Sequence, residues 1–281
     1  MTPRAARDLA LALADLADPI ALQHFGGLVP AQAKADGSPV TAADRDIESA
    51  LRAALRDAAP DHAIVGEEEG GGAIDPAVPT WVIDPIDATK NFMRGVPVFA
   101  TLIALCEGGR AVAGVASNAA TGHRWEAYAG GGARRDGTTL GVSAVADLRD
   151  AHVCHGGLDW WRSTPGGWDL LGRIADRAWR TRGFGDFWMH LLVAEGSVDV
   201  AVERDVKPWD VAALEVILTE AGGAITGWDG SPVLTAGDVL TAGDARGRRA
   251  APDGSAPRSR DVLATNGALH PAMIDLLAGA G

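Results

Sequence analysis

Apolar positions along the chain alternate between helical and strand-like spacing. Leu9, Leu13, Leu16 and Ile20 recur at i, i+4, i+7 and i+11. That is one stripe of an amphipathic helix over residues 5–25, with a bend or break expected at Pro19, which lacks a backbone donor. Pro30, Gly37 and Pro39 mark residues 30–40 as a loop. Thr41 then opens a second helix, with Asp44 three residues on in a capping-box arrangement. Ile47, Leu51, Ala54 and Leu55 form its apolar face, and Glu48 with Arg52 make an i, i+4 pair. The short apolar runs at 62–66 and 80–84 predict buried strands. Residues 98–106 and 110–117 flank Glu107-Gly108-Gly109 and predict a hairpin, and a second hairpin is expected to join 123–129 to 138–143. The second half continues with a strand at 151–155, helices at 166–180 and 186–195, and a strand at 198–202. A helix at 210–221, a strand at 262–265 and a last helix from His270 complete it.

Composition narrows the function classes. Of 281 residues, 47% are hydrophobic, enough for a substantial core and incompatible with a disordered chain. The net charge of −12 argues against nucleic acid and anionic membranes as partners. Asp8, Asp15 and Asp18 interrupt the Leu/Ala-rich N-terminus, so a signal peptide and a membrane span are not expected, and a cytoplasmic location is. Two cysteines, Cys106 and Cys154, provide neither a disulfide framework nor a zinc cluster. No dinucleotide fingerprint or Walker lysine motif occurs, and the glycine runs 70–72 and 130–132 read as turns. Residues 236–260 repeat LTAGD, carry five arginines and read as a surface loop.

The informative chemistry is a set of acids at the ends of apolar strands. Glu67, Glu68 and Glu69 follow one strand, Asp84 and Asp87 end another, and Asp210 opens a helix. Pro85 keeps Asp84 out of the helical region, so Asp84-Pro85-Ile86-Asp87 is expected to fold as a tight loop with both carboxylates on one side. Carboxylates gathered in a cleft repel one another unless protonated or bridged by a cation, and oxygen ligands select Mg²⁺, Ca²⁺ or Mn²⁺ over zinc. A pair of such ions about 3.5–4 Å apart is the arrangement of two-metal phosphatases. The same acids would also serve as ordinary caps and surface charges, with Asp210 as a helix cap and 67–69 as a solvated run.

GEEEG (66–70), WVIDPIDATKNF (81–92) and KPWDVAALEVILTEAGG (207–223) resemble the three signatures of the inositol monophosphatase family, in its order and spacing, over roughly residues 5–277. DATKNF, GVPVFATLIAL and FGDFWMHLLVAEGSVDVAVE (184–203) are most similar to its histidinol-phosphatase branch. The resemblance implies a layered α-β-α-β-α sugar-phosphatase fold in one catalytic domain, with a metal-binding half over about 1–145 and a substrate half over about 146–281. It implies hydrolysis of a small phosphate monoester with two to three Mg²⁺ ions, Mn²⁺ being a substitute, and a homodimer to which strands 98–129 contribute. Glu67, Asp84, the Ile86 carbonyl, Asp87 and Asp210 would be the metal ligands. Glu67, Thr89 and Asp44 would be catalytic, Thr89 orienting the attacking water and Asp44 pairing with that threonine. Phosphate would lie against Asp87, Asp210 and the amides of Ala88 and Thr89. Alanine at 88 departs from the family's usual glycine, and would be strained if the position requires a positive φ.

The resemblance further implies that specificity comes from Asp186, near the family's substrate-contacting loop, and from Glu203, which matches its acid at the substrate's non-phosphate end. Two acids suit a substrate with phosphate at one end and positive charge at the other, as in histidinol phosphate, whereas a polyol needs fewer. Asp186 would equally serve as a helix cap. Trp209 is expected to pack, His190 to be structural, and Lys34 to close over the site. Inositol phosphates, fructose bisphosphate and nucleotide phosphates are alternative substrates, and a protein- or RNA-binding role is the rival from another class.

Overall fold

The computed structural model describes all residues except 27, 34–38, 164, 235–238, 241–260 and 279–281, with the backbone alone at 73, 239 and 240. Lys34 and nearly all of the 236–260 loop, its arginines included, lie outside the described residues.

Helix α1 (Pro3–His24) leads through a ribbon of β1 (Ala31–Ala33) and β2 (Pro39–Thr41) to α2 (Ala42–Ala58). There follow β3 (Ala63–Gly66), β4 (Gly72–Ala73), β5 (Thr80–Asp87), α3 (Thr89–Met93), β6 (Ala100–Glu107), β7 (Arg110–Asn118), β8 (His123–Tyr128), β9 (Ala133–Arg135) and β10 (Thr138–Thr139). The second half contains β11 (His152–His155), α4 (Leu158–Ser163), α5 (Gly167–Arg177), β12 (Arg180–Arg182), α6 (Asp186–Ala194), β13 (Val200–Glu203) and α7 (Pro208–Glu220). It ends with β14 (Ala224–Gly227), β15 (Val239–Leu240), β16 (Val262–Thr265) and α8 (His270–Ala278).

One sheet runs β10-β9-β8-β7-β6-β5-β3 and another β12-β11-β13-β16-β14. Strand alternation assigns each face a layer. Trp81, Ile83, Ile103, Leu105, Ala113 and Val115 pack under α1 and α2. Val82, Leu102, Ala104 and Ala116 point the other way, onto α6 and α7, which also cover Cys154, Ala201 and Ala264 of the second sheet. Val153, Val200, Val202 and Leu263 face Trp161, Leu170, Ile174 and Met273 of α4, α5 and α8. Three hydrophobic clusters thus separate five layers, helix, sheet, helix, sheet, helix, and the fold is α/β. The middle cluster takes residues from both sides of position 145. Gly114 sets how closely α7 lies on the first sheet. A Cβ there would stand 2.7 Å from Val216 Cγ1 and 2.8 Å from the Ala213 carbonyl.

Several expectations change. α1 runs continuously through Pro19, because losing one backbone hydrogen bond is outweighed by a face buried from Ala6 to Ala21. The second hairpin closes early, β8 pairing with β9 rather than with 138–143. Gly130 and Gly132 adopt φ of 78° and 71°, and Glu220 holds both their amides at 2.8 Å. The helix expected at 166–180 stops at Arg177, and α4, β12 and β14, which showed no clear period in sequence, are additional elements.

Candidate active site

The DPID segment is a bulged strand end rather than a tight loop. Asp84 pairs with Leu102 and Asp87 with Ala100, so β5 spends three steps where β6 takes two. Residues three apart in a regular strand face opposite sides; the extra residue turns Asp87 onto the face of Asp84. Thr101 Oγ1 holds the Pro85 carbonyl at 2.8 Å, and Asp84 Oδ1 accepts from the Ile86 amide at 3.0 Å, so the bulge is fixed from both strands.

α7 brings in the third carboxylate. Asp210 occupies N3, where its Oδ2 accepts the Lys207 amide at 2.8 Å. It therefore caps its helix and still presents an oxygen to the cleft. Asp84, Asp87 and Asp210 each place an oxygen within 4.8 Å of the others. Asp84 is 1% and Asp87 8% exposed. Burial first, then the neighbouring carboxylates, push all three well above the ordinary aspartate range; the neighbours are Glu67, Asp87 and Asp210 for Asp84, Asp186 and Asp210 for Asp87, and Glu67 for Asp210. Glu67 also hydrogen-bonds Asp84. Carboxylates packed this closely repel one another, and a hard divalent cation with oxygen ligands would offset that repulsion.

These groups line a cleft of about 880 Å³ together with Ile86, Ala88, Thr89, Lys90, Asp186 and Glu203. Ala88 adopts φ 65° and ψ 44°, the left-handed conformation, so the strain anticipated for a non-glycine residue is present. The Thr89 hydroxyl donates to the Ile86 carbonyl at 3.0 Å. Asp44 is fully buried and does not line the cleft. Its Oδ2 accepts from Thr41 N at 2.8 Å and Thr41 Oγ1 at 2.6 Å. Because an ionised aspartate only accepts, a bond from Thr89 to Asp44 would require the threonine proton to leave Ile86.

Asp186 is the first residue of α6, after its cap Gly185, with φ 50°. The adjoining Phe187 amide donates to Asp87 Oδ2 at 2.8 Å, linking α6 to the cluster. Burial and Glu203 push Asp186 up to about 6, against the opposing pull of Lys90 and His190. His190 is buried yet touches the site, its Nε2 donating to Glu203 Oε2 at 2.9 Å. Sequence reasoning treated His190 as structural; its i+4 spacing from Asp186, which places both on one helical face, was the available signal. Asp186, His190 and Glu203 line a recess of about 160 Å³ with Asp87, Trp160 and Asp210. Trp209 is 8% exposed and packs in the middle cluster, as expected.

The two large sheets and the helices between them place clustered carboxylates in a cleft, and comparison with known proteins gives the class. The inositol monophosphatase family model matches residues 4–278, and the chain belongs to that family. It is 41% identical over 275 residues to a histidinol-phosphatase of Mycobacterium tuberculosis, covering 96% of each chain. It is 39% identical over 279 residues to that of Streptomyces coelicolor, covering 96% of this chain and 95% of the relative. An inositol monophosphatase from Zymomonas mobilis superposes with TM-score 0.80 at 29% identity over 99% of each chain. The protein is accordingly a phosphoric monoester hydrolase of a metal-dependent family that acts on small phosphate esters. Among the described residues no helix is long and apolar enough to cross a membrane.

Proposed function

We propose that the protein hydrolyses L-histidinol phosphate to histidinol and phosphate, with Mg²⁺ as its cation and Mn²⁺ as a substitute. The observation that carries this reading is the pair Asp186 and Glu203 beside the Asp84–Asp87–Asp210 cluster. One end of the cleft suits cations and the phosphate they attract, and the adjoining end suits the ammonium and imidazole of the alcohol. The two histidinol-phosphatase relatives support the same choice.

Glu67, Asp84, Asp87, Asp210 and the Ile86 carbonyl would hold two to three ions. Bound there, such ions would supply a water of lowered pKa and positive charge to offset the negative charge developing on the phosphoryl group. The Ile86 carbonyl accepts from Thr89, and its second lone pair is the one that would face a cation. With its proton directed at Ile86, Thr89 Oγ1 offers lone pairs that would accept from an attacking water and aim it. Asp44, through the capping bonds to Thr41, holds the start of α2, and we read its catalytic part as positional. The amides of Ala88 and Thr89, in the turn after Asp87, would meet the phosphate. Asp186 and Glu203 would receive the cationic alcohol. On this reading the chain's first half mainly supplies metal ligands and its second half specificity, with the protein working in the cytoplasm as a homodimer.

The test is phosphate release from a panel of histidinol phosphate, inositol 1-phosphate, fructose 1,6-bisphosphate and AMP with Mg²⁺. The expected result is a kcat/KM for histidinol phosphate at least about tenfold above the others, a difference near 1.4 kcal/mol, with loss of activity in EDTA. A preference of that size for inositol 1-phosphate would overturn the substrate assignment and leave the phosphatase chemistry standing.

A further inference from the structure

Glu48 and Arg52 sit on α2, outside the cleft, and both are almost entirely buried, at 0% and 6% exposure. Glu48 does more than pair with Arg52. Its Oε2 accepts the Glu68 amide at 2.8 Å and its Oε1 the Glu69 amide at 3.0 Å. Arg52 Nε donates to Glu48 Oε1 at 2.8 Å. The guanidinium also reaches the carbonyls of Gly70 and Ile64 and the Glu69 carboxylate. The gripped segment is closed on itself, Gly66 N bonding Gly70 O at 2.9 Å and Gly70 N bonding Gly66 O at 3.0 Å. Gly66 lets the carboxylate come this close, since a Cβ there would stand 2.2 Å from Glu48 Oε1. Glu67 lies inside this ring, its own amide held by the Ile83 carbonyl at 3.2 Å.

From this geometry we infer that Glu48 and Arg52 are positioning residues for the cation site, bracing the 66–70 ring so that Glu67 is aimed at Asp84 and Asp210. A buried carboxylate bonded to two consecutive amides and a guanidinium is strongly fixed, because charge-assisted hydrogen bonds gain strength in a low-dielectric interior. Without the brace, the ring keeps its two backbone bonds and its fold, but Glu67 gains freedom that cation binding must then remove. The effect should appear in metal affinity ahead of overall stability. The inference rests on Glu67 being a metal ligand.

The test is Mn²⁺ binding to the full-length protein without substrate, followed by the loss of the free-Mn²⁺ EPR signal. Glu48→Gln and Arg52→Lys are compared with Leu55→Ala, a core truncation on the same helix, well below the melting temperature of each. The expected result is Mn²⁺ affinity weakened about tenfold or more in Glu48→Gln and severalfold in Arg52→Lys, with Leu55→Ala destabilised yet binding as the wild type does. Wild-type affinity in Glu48→Gln, or an equal loss in Leu55→Ala, would overturn the brace while leaving the metal site intact. If Glu48→Gln does not fold, Arg52→Lys decides by the same criterion. Failure of the wild type to bind Mn²⁺ would overturn the metal reading, and the brace with it.

Discussion

His190 Nε2 lies 2.9 Å from Glu203 Oε2, joining a buried helix residue to the carboxylate that faces the cleft. The ring is 1% exposed. The Nε2–H donated to Glu203 fixes one carboxylate oxygen and leaves the other for a ligand. His190→Phe should release Glu203. A hydrogen bond to a charged group contributes about 1.5–3 kcal/mol, so kcat/KM for histidinol phosphate should fall about 10- to 100-fold, chiefly through KM. Steady-state kinetics on both esters should show a smaller loss for inositol 1-phosphate.

Asp84→Asn keeps the side chain's shape and its acceptor for the Ile86 amide, but removes the charge at the centre of the cluster. Phosphatase activity should fall by at least about a thousandfold, a loss above 4 kcal/mol of transition-state stabilisation. Without divalent cations the variant should melt higher than the wild type, because a buried charge that repels Glu67, Asp87 and Asp210 is gone. Calorimetry in EDTA checks this second, opposite effect.

The cation dependence of stability should vary with pH. Asp84, Asp87, Asp210 and Asp186 have native pKa values raised above those of the unfolded chain, Asp186 to about 6. The native state therefore holds more protons, and these groups withdraw stability as pH rises through the unfolded aspartate range toward the raised values. His62, His152 and His270, lowered by burial, act oppositely and lose stability as pH falls through about 6.5. The histidine contribution is the same with and without metal, so it cancels in the difference. The rise in Tm produced by Mg²⁺ should therefore be larger at pH 8 than at pH 5, which thermal scans at matched ionic strength would check.

Ala88→Gly should stabilise the protein. A left-handed alanine costs roughly 1–2 kcal/mol, partly offset by the unfolded-state entropy of glycine, leaving a gain of about 0.5–1 kcal/mol. A Tm increase of about 1–3 °C with metal affinity retained would match this.

Much of the carboxylate cluster was readable in sequence because its members are carried on local motifs. Glu67 follows a strand, Asp84 and Asp87 lie on either side of Pro85-Ile86, and Asp210 sits at the start of a helix; each placement follows from near neighbours. The bulge that turns Asp87 onto the face of Asp84 was not readable, since it depends on register against Leu102 and Ala100 of β6. The bond from His190 to Glu203 crosses from α6 to β13, and the grip of Glu48 on the Glu68 and Glu69 amides spans twenty residues and more. Glu48 and Arg52 were legible as a helical pair but not as a brace, because their i, i+4 spacing carries no information about the loop they hold. The early closure of β8 onto β9 likewise depends on Glu220, some ninety residues away.

The most direct measurement is anomalous diffraction at the manganese edge from crystals soaked in Mn²⁺. The account predicts peaks about 2.0–2.6 Å from carboxylate oxygens of Asp84, Asp87 and Asp210, with Glu67 coordinating one of them. An enzyme that hydrolyses histidinol phosphate in Mn²⁺ while its crystals show no peak among these four residues would contradict it.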